Sequence, residues 1–330
     1  MSETVSKRRQ ADRLRADRLK ADRLKEGAGP SASSRMSRTP LGWWRNPWRR
    51  PHILASATWL YVAWSLLPVI IAIAISFNSG RSNSVWQGFS FQWWWGHPKF
   101  DPSGALLVSP ELRTALIQSL RLSFVTMFIA VPLGVAFAIG ISRWRGPAPA
   151  GANFLMLFSF VVPEIIIGIS MFLFFTYLLK VVHLGTGAQL LSLVTYQVSY
   201  PVIIVRARLL SIGKEYEEAA TDLGASPTQA IRRVLLPMLY PAILVSFALV
   251  FADTIDDFIT VRYLSGGANT EPLSVKIYNF SRGSLTPAIN AAATFLLLST
   301  LAVALIGVFL YRRITSGQRG QTQEMTGYLS

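Results

Sequence analysis

The chain has 330 residues, 51% of them hydrophobic and only 15% charged, with a formal net charge of +15 and no cysteine. Soluble domains carry about 25% charged residues, so the composition argues against an ordinary soluble enzyme and rules out disorder for most of the chain. Disulfides, thiolate metal sites and cysteine nucleophiles are excluded, and His52, His97 and His183 stand too far apart in sequence to point to a histidine metal cluster. The basic excess calls for an anionic partner, either nucleic acid or the inner face of a membrane.

Residues 1–51 hold fourteen Lys/Arg against five Asp/Glu. A five-residue repeat starts at Ala11, Ala16 and Ala21. Its period spreads Leu14, Leu19 and Leu24 around a helix axis instead of along one stripe. The segment reads as a basic arm, either a charged, solvated helix or disorder, followed by linker chemistry from Gly27 to Pro40. No signal peptide is expected, since no apolar stretch follows within the usual distance.

Six apolar stretches follow, at roughly 53–77, 115–142, 153–179, 187–206, 239–263 and 287–311. Most reach the ~20 residues that span a bilayer, and backbone groups in lipid must be satisfied internally, which makes them helices. The fourth is the weakest, being interrupted by Gln197, Ser199, Tyr200 and Pro201. The predicted fold is all-α: a basic arm (1–51), a six-helix membrane domain (52–313) and a C-terminal tail (314–330). With the N-terminus inside, the inner segments carry 24 Lys/Arg and the outer ones 7, so both termini are expected to be cytoplasmic. The outer loop at 78–112 holds Trp86, Trp93, Trp94 and Trp95, read as membrane-interface anchors ahead of a ligand-stacking site.

The inner loop at 209–238 is the most informative segment. Lys214 to Asp222 has helical composition, and Gly224 stops it. Ser226-Pro227-Thr228-Gln229 starts a second short helix as N-cap, N1 proline and capping-box glutamine. That helix is expected to end before Pro237. Alone, the pair is also a helix-turn-helix with Arg232 and Arg233 placed for phosphates, but spans four and five adjoin it and leave no free domain to reach a groove. There is no GxxxxGK[ST] phosphate loop in the chain.

Glu218-Ala219-Ala220, then three residues, Gly224, nine residues, Val234, one residue and Leu236-Pro237 resembles the EAA loop of permease subunits of ATP-binding-cassette importers. Val234 stands where isoleucine is common. The resemblance covers about residues 53–313. The segment from Gly266-Gly267 through Leu273–Tyr278 to Pro287–Ala291 is more narrowly similar to spermidine/putrescine-type permeases. The resemblance implies a subunit without catalytic residues, cofactor or metal of its own, in a bacterial inner membrane. Its implied partners are two ATP-binding subunits carrying ATP and Mg, a second, related permease subunit and an extracytoplasmic solute-binding protein. It also implies that the first short helix docks on an ATP-binding subunit, with Glu218 and Gly224 shaping the contact.

Four acids interrupt apolar spans: Glu164 in the third, and Asp253, Asp256 and Asp257 in the fifth. Each aspartate near mid-bilayer costs about 2.5–3.5 kcal/mol, so they are expected to face protein or water. On one continuous helix the three aspartates share an arc of about 100°. Glu164 and Asp253 lie about 16 and 21 Å from the inner ends of their spans. Two readings stand open. The acids line a passage for an organic cation, with aromatic faces from Tyr196, Tyr200, Phe251 and Phe258, or they pair internally with Arg121, Arg262 or helix N–H groups. A polyamine is the expected cargo. Ferric iron, an opine, an amino acid or a phosphonate on the same fold is the alternative, and a membrane-tethered nucleic-acid-binding or signalling protein is a more distant one.

Overall fold

The computed structural model describes residues 52–96, 104–144, 148–283 and 286–327, so the basic arm lies outside the described residues. The chain divides into two units between Pro68 and Val69, inside helix α1 (His52–Ser76). In the first unit, Trp59, Leu60, Tyr61 and Trp64 are exposed, a surface suited to lipid. The hydroxyls of Thr58 and Ser65 return to the carbonyls of Leu54 and Val62, which satisfies them without water.

In the second unit, the turn after α1 is organised on buried Asn78. Its side chain donates to the carbonyls of Ser82 and Val85 and accepts from the Gln87 N–H. Phe77 stacks on Phe89 and Trp94 above the short helix α2 (Gln92–Trp95). Helix α3 (Pro110–Arg143) starts with Ser109 as N-cap, Pro110 inside its first turn and Glu111 at the positive end of its dipole, and finishes with Arg143 at the negative end.

The third apolar stretch is where the structure departs from the expected six spans. It forms α4 (Ala148–Val161) and, after a break at Pro163, α5 (Glu164–Leu173), which closes in a π-helical turn over Phe174–Leu178. Proline cannot donate to the preceding helix and crowds it sterically. Among the described residues, five helices are long and apolar enough to cross a membrane, and Glu164–Leu178 is a shorter apolar helix.

The fourth stretch spans despite its polar residues. Helices α6 (Thr186–Gln197) and α7 (Ser199–Ile212) meet at Val198, where Pro201 withholds the N–H that the Gln197 carbonyl would accept. A short helix α8 (Glu215–Asp222) precedes α9 (Pro227–Ala230), which runs through a π-helical turn (Ile231–Leu235) into α10 (Leu236–Asp256). Helix α11 (Ile259–Leu264), a 3-10 turn at Ala268–Thr270, α12 (Leu273–Gly283) and the long α13 (Pro287–Gly327) complete the chain.

Lipid offers helices no hydrophobic incentive to associate, so close packing of small residues does that work. Ala130 and Ala138 of α3 and Ala288, Ala291 and Ala292 of α13 are buried with Val202, Val205, Leu239, Val250 and Phe251. Gly134 sets the approach of α3 to α7: a Cβ there would lie 2.4 Å from Pro201 Cγ. Buried Gln189 knits the outer end, accepting from Gln118 Nε2 at 2.9 Å and donating to the carbonyl of Thr270 at 3.0 Å. Beside it, Lys276 Nζ holds Glu111 at 2.6 Å and Glu271 at 2.9 Å. Burial works against the ammonium, but these two carboxylates outweigh it and hold the lysine above its ordinary value.

Candidate functional site

The loop between α7 and α10 is built as a rigid corner. Three acids in the first turn of α8, Glu215, Glu217 and Glu218, complement the helix dipole. The helix ends in a Schellman arrangement: the Gly224 N–H bonds to the Thr221 carbonyl and the Ala225 N–H to the Ala220 carbonyl. This closure requires φ +86° at residue 224, a left-handed conformation that favours glycine. Ser226 then caps α9. Its Oγ accepts the Gln229 N–H, and Gln229 Oε1 accepts the Ser226 N–H. Glu217 pairs with Arg143, fixing α8 to the end of α3.

The second helix of the corner does not stop before Pro237. The Leu236 N–H reaches back five residues to the Ile231 carbonyl, and this wider turn absorbs the proline ring that would press on the Arg233 carbonyl in an ordinary helix. The corner therefore continues without interruption into α10. Glu218, Ala219 and Gly224 are exposed, Ala220 is half-buried, and Leu236 and Pro237 lie half-buried at the start of the span. Leu223, an apolar side chain that no motif singled out, is 90% exposed at the corner. A Cβ on Gly224 would meet nothing within 4 Å, so what a substitution meets first there is backbone strain.

The acids separate into different environments. Helix α10 ends at Asp256, and Asp257 leaves the helix (φ −51°, ψ 123°), so the arc of three aspartates does not form. Asp257 Oδ1 accepts the N–H groups of Thr260 and Val261 at 3.0 and 3.3 Å, capping α11. Asp256, the last residue of α10, is exposed. Glu164, also exposed, heads α5, at the positive end of that half-helix.

Asp253 is half-buried, and among the described residues the groups that hold it are neutral. Gln197 Nε2 donates to Oδ2 at 2.7 Å, the Tyr200 hydroxyl lies 3.5 Å from Oδ1, and the Tyr196 and Tyr200 hydroxyls are 3.0 Å apart. Gln197 lies 15 residues from the end of α7, about 22 Å, near the middle of the apolar stretch Thr186–Ile212, whereas Asp253 lies 17 residues from the start of α10 and three from its end, so the two meet within the apolar spans, toward the end of α10. Among the described residues no lysine or arginine pairs with any of the four acids. Arg262 turns instead to Glu271 and Asn279. Phe251 is packed in the core against Phe124, and Phe258 against Tyr278. Gln197 was visible in the sequence only as an interruption of an apolar stretch; a polar side chain at mid-span was the signal of its role.

Residues 104–320 match the family described as binding-protein-dependent transport system inner membrane component. The chain belongs to this family. It is a permease subunit, a multi-pass protein of the inner membrane. The putrescine transport system permease protein PotI of Escherichia coli K12 is 30% identical over 275 residues, covering 82% of this chain and 92% of that protein. The spermidine/putrescine transport system permease protein PotC of the same strain is 30% identical over 264 residues, covering 79% and 94%. The fold is shared with a bacterial importer of the acidic polysaccharide alginate, at a TM-score of 0.64 and 18% identity over 81% of this chain and 97% of that one. It is also shared with the MetNI methionine transporter, at 0.53 and 20% over 62% and 96%.

Proposed function

We propose that this permease forms part of the path by which an ATP-driven importer carries a polyamine, of the putrescine or spermidine kind, inward. The observation that carries the reading is the Asp253 carboxylate: inside an apolar span, half-buried, held by an amide and a phenol, with no cationic partner among the described residues. A carboxylate in such a place is costly unless a positive charge joins it, and an ammonium group supplies one. Tyr196 and Tyr200 offer ring faces and hydroxyls beside it, while Asp256 and Glu164 extend the negative field. The names of the relatives favour the same cargo.

In this reading the corner at Gly224 receives the stroke of a separate ATP-binding subunit, one of two, on which ATP and Mg reside. Glu218, Ala219, Ala220, Gly224 and exposed Leu223 make the contact, and Leu236-Pro237 passes it to α10. A second, related permease subunit completes the path, and an extracytoplasmic binding protein delivers the cargo. Both termini face the cytoplasm, where the basic arm meets anionic lipid at about 1 kcal/mol per basic residue. The test is ATP turnover by the purified complex in liposomes, with the binding protein loaded in turn with putrescine, spermidine, an amino acid or ferric iron. Stimulation by the polyamines supports the reading, and stimulation confined to another cargo replaces it.

A further inference from the structure

Gln197 is fully buried, yet only one end of its amide is used. Nε2 donates to Asp253, whereas Oε1 has no hydrogen-bond partner among the described residues. Turning the amide over would set Oε1 against Asp253 Oδ2 at 2.7 Å, two acceptors with no proton between them, so the carboxylate fixes the orientation. A buried acceptor left unmatched costs about 1–3 kcal/mol. The other buried side-chain atoms in this condition are serine and threonine hydroxyls, which rotate freely to suit, and the Trp94 indole N–H. The unmatched carbonyl therefore stands beside the one intramembrane carboxylate that lacks a countercharge and is held by side-chain donors.

We propose that Gln197 selects cargo by its N–H groups, acting in two senses. In the empty site it donates to Asp253. When an ammonium takes its place on Oδ2, the released amide turns and accepts one N–H of that ammonium through Oε1. A primary ammonium has three N–H donors. Asp253 takes one, Gln197 a second, and the hydroxyls of Tyr200 and Tyr196, which already reach each other and Oδ1, take the third. A quaternary ammonium carries the same charge and satisfies none of these acceptors. This inference rests on the cationic-cargo reading above and adds what distinguishes one cation from another.

The test measures uptake of 1,4-diaminobutane by the reconstituted complex, and inhibition by its bis-trimethylammonium analogue. Gln197→Met, which keeps the shape and loses the acceptor, is expected to raise the KM for the diamine about tenfold or more, the worth of a hydrogen bond to a charged group. Gln197→Asn keeps both a donor and an acceptor on a shorter stem and is expected to raise KM less than Gln197→Met does. Inhibition by the methylated analogue is expected to be the same in all three. Equal impairment by Met and Asn would show that Gln197 only braces Asp253, and an unchanged KM in Gln197→Met would remove any role. A measurement needing no variant stands beside these: the natural complex should bind the diamine at least tenfold more tightly than the methylated analogue, and equal affinity overturns the inference. Asp253→Asn separates the two levels. Undiminished uptake there defeats the cationic path itself, whereas lost uptake with an insensitive Gln197 defeats only the selection.

Discussion

The turn at Gly224 allows the coupling proposal to be tested by backbone strain alone. Residue 224 sits at φ +86° with open space around its absent side chain, so substitutions there differ only in how readily they hold a left-handed conformation. Alanine pays about 1–2 kcal/mol for that conformation, asparagine less, and a β-branched residue more. A penalty of one to two kcal/mol is a factor of about 5–30 in the population of the native turn. The Schellman bonds from Gly224 and Ala225 to Thr221 and Ala220 weaken together, and α8 loses its fixed angle to α9. The expected order of polyamine uptake is Gly, then Asn, Ala and Val. ATP turnover should become less responsive to cargo in the same order. Uptake in proteoliposomes, with co-purification of the ATP-binding subunits, measures both. If Gly224→Val transports as well as the natural protein, the corner is not a lever. If Asn and Val fail equally, the surface around residue 224 is excluded by bulk in a docked partner, and turn geometry is not what matters.

Other positions give sharper structural outcomes. Gly134→Val forces a side chain into Pro201, whose ring already stands where even a Cβ would overlap it; overpacking of this kind costs about 1–3 kcal/mol, read as a lower Tm of the detergent-solubilised complex. Asp257→Ala removes the cap on α11 at about 0.5–2 kcal/mol and should lower Tm while sparing the KM for cargo, the reverse of Asp253→Asn. Lys276→Met leaves Glu271 half-enclosed without its ammonium and should also lower Tm. Because the native lysine lies above 10.5, its contribution is present below that value and lost only as pH rises beyond it. The Tm difference between Lys276→Met and the natural protein should therefore be flat from about pH 6 to about pH 9, and a step in that range refutes the assignment.

Periodicity and capping chemistry made most of the architecture legible. Ser226, Pro227 and Gln229 announced the start of α9, and Gly224 the end of α8, because caps are local and their donors and acceptors sit within four residues of each other. Three features were not legible, each because it depends on a competitor elsewhere in the chain. The third apolar stretch looked like one span, but Pro163 divides it into two half-helices and puts Glu164 at a helix start. Pro237 looked like a terminus, but the five-residue turn before it lets the helix continue. Asp257 looked like the third member of an acidic face, but its side chain competes for the N–H groups of Thr260 and Val261 and ends α10 one residue earlier. Gln197 was missed for a related reason: its partner lies 56 positions away, and spacing along one helix carries no trace of that contact.

The Gln197–Asp253 bond joins the two rods that flank the lever. One rod runs over Thr186–Ile212 and the other over Pro227–Asp256; the α8 corner connects them in sequence, and Arg208 Nε also reaches the Met238 carbonyl at 3.5 Å near that end. Over the roughly 22 Å from Ile212 up to Gln197, a relative tilt of only about 3° moves the tip by about 1 Å, enough to stretch a 2.7 Å bond past the limit of hydrogen bonding. If the corner transmits the stroke as proposed, a small movement of it would release or capture the Asp253 carboxylate. The chain contains no cysteine, so Gln197→Cys with Asp253→Cys introduces a unique pair, and transport is not needed to read it. Cross-linking by a short bifunctional thiol reagent should be efficient in the nucleotide-free complex and fall when a non-hydrolysable nucleotide closes the ATP-binding subunits. Equal yields in both states would mean that the rods move as one body, and that the corner drives some other part of the bundle.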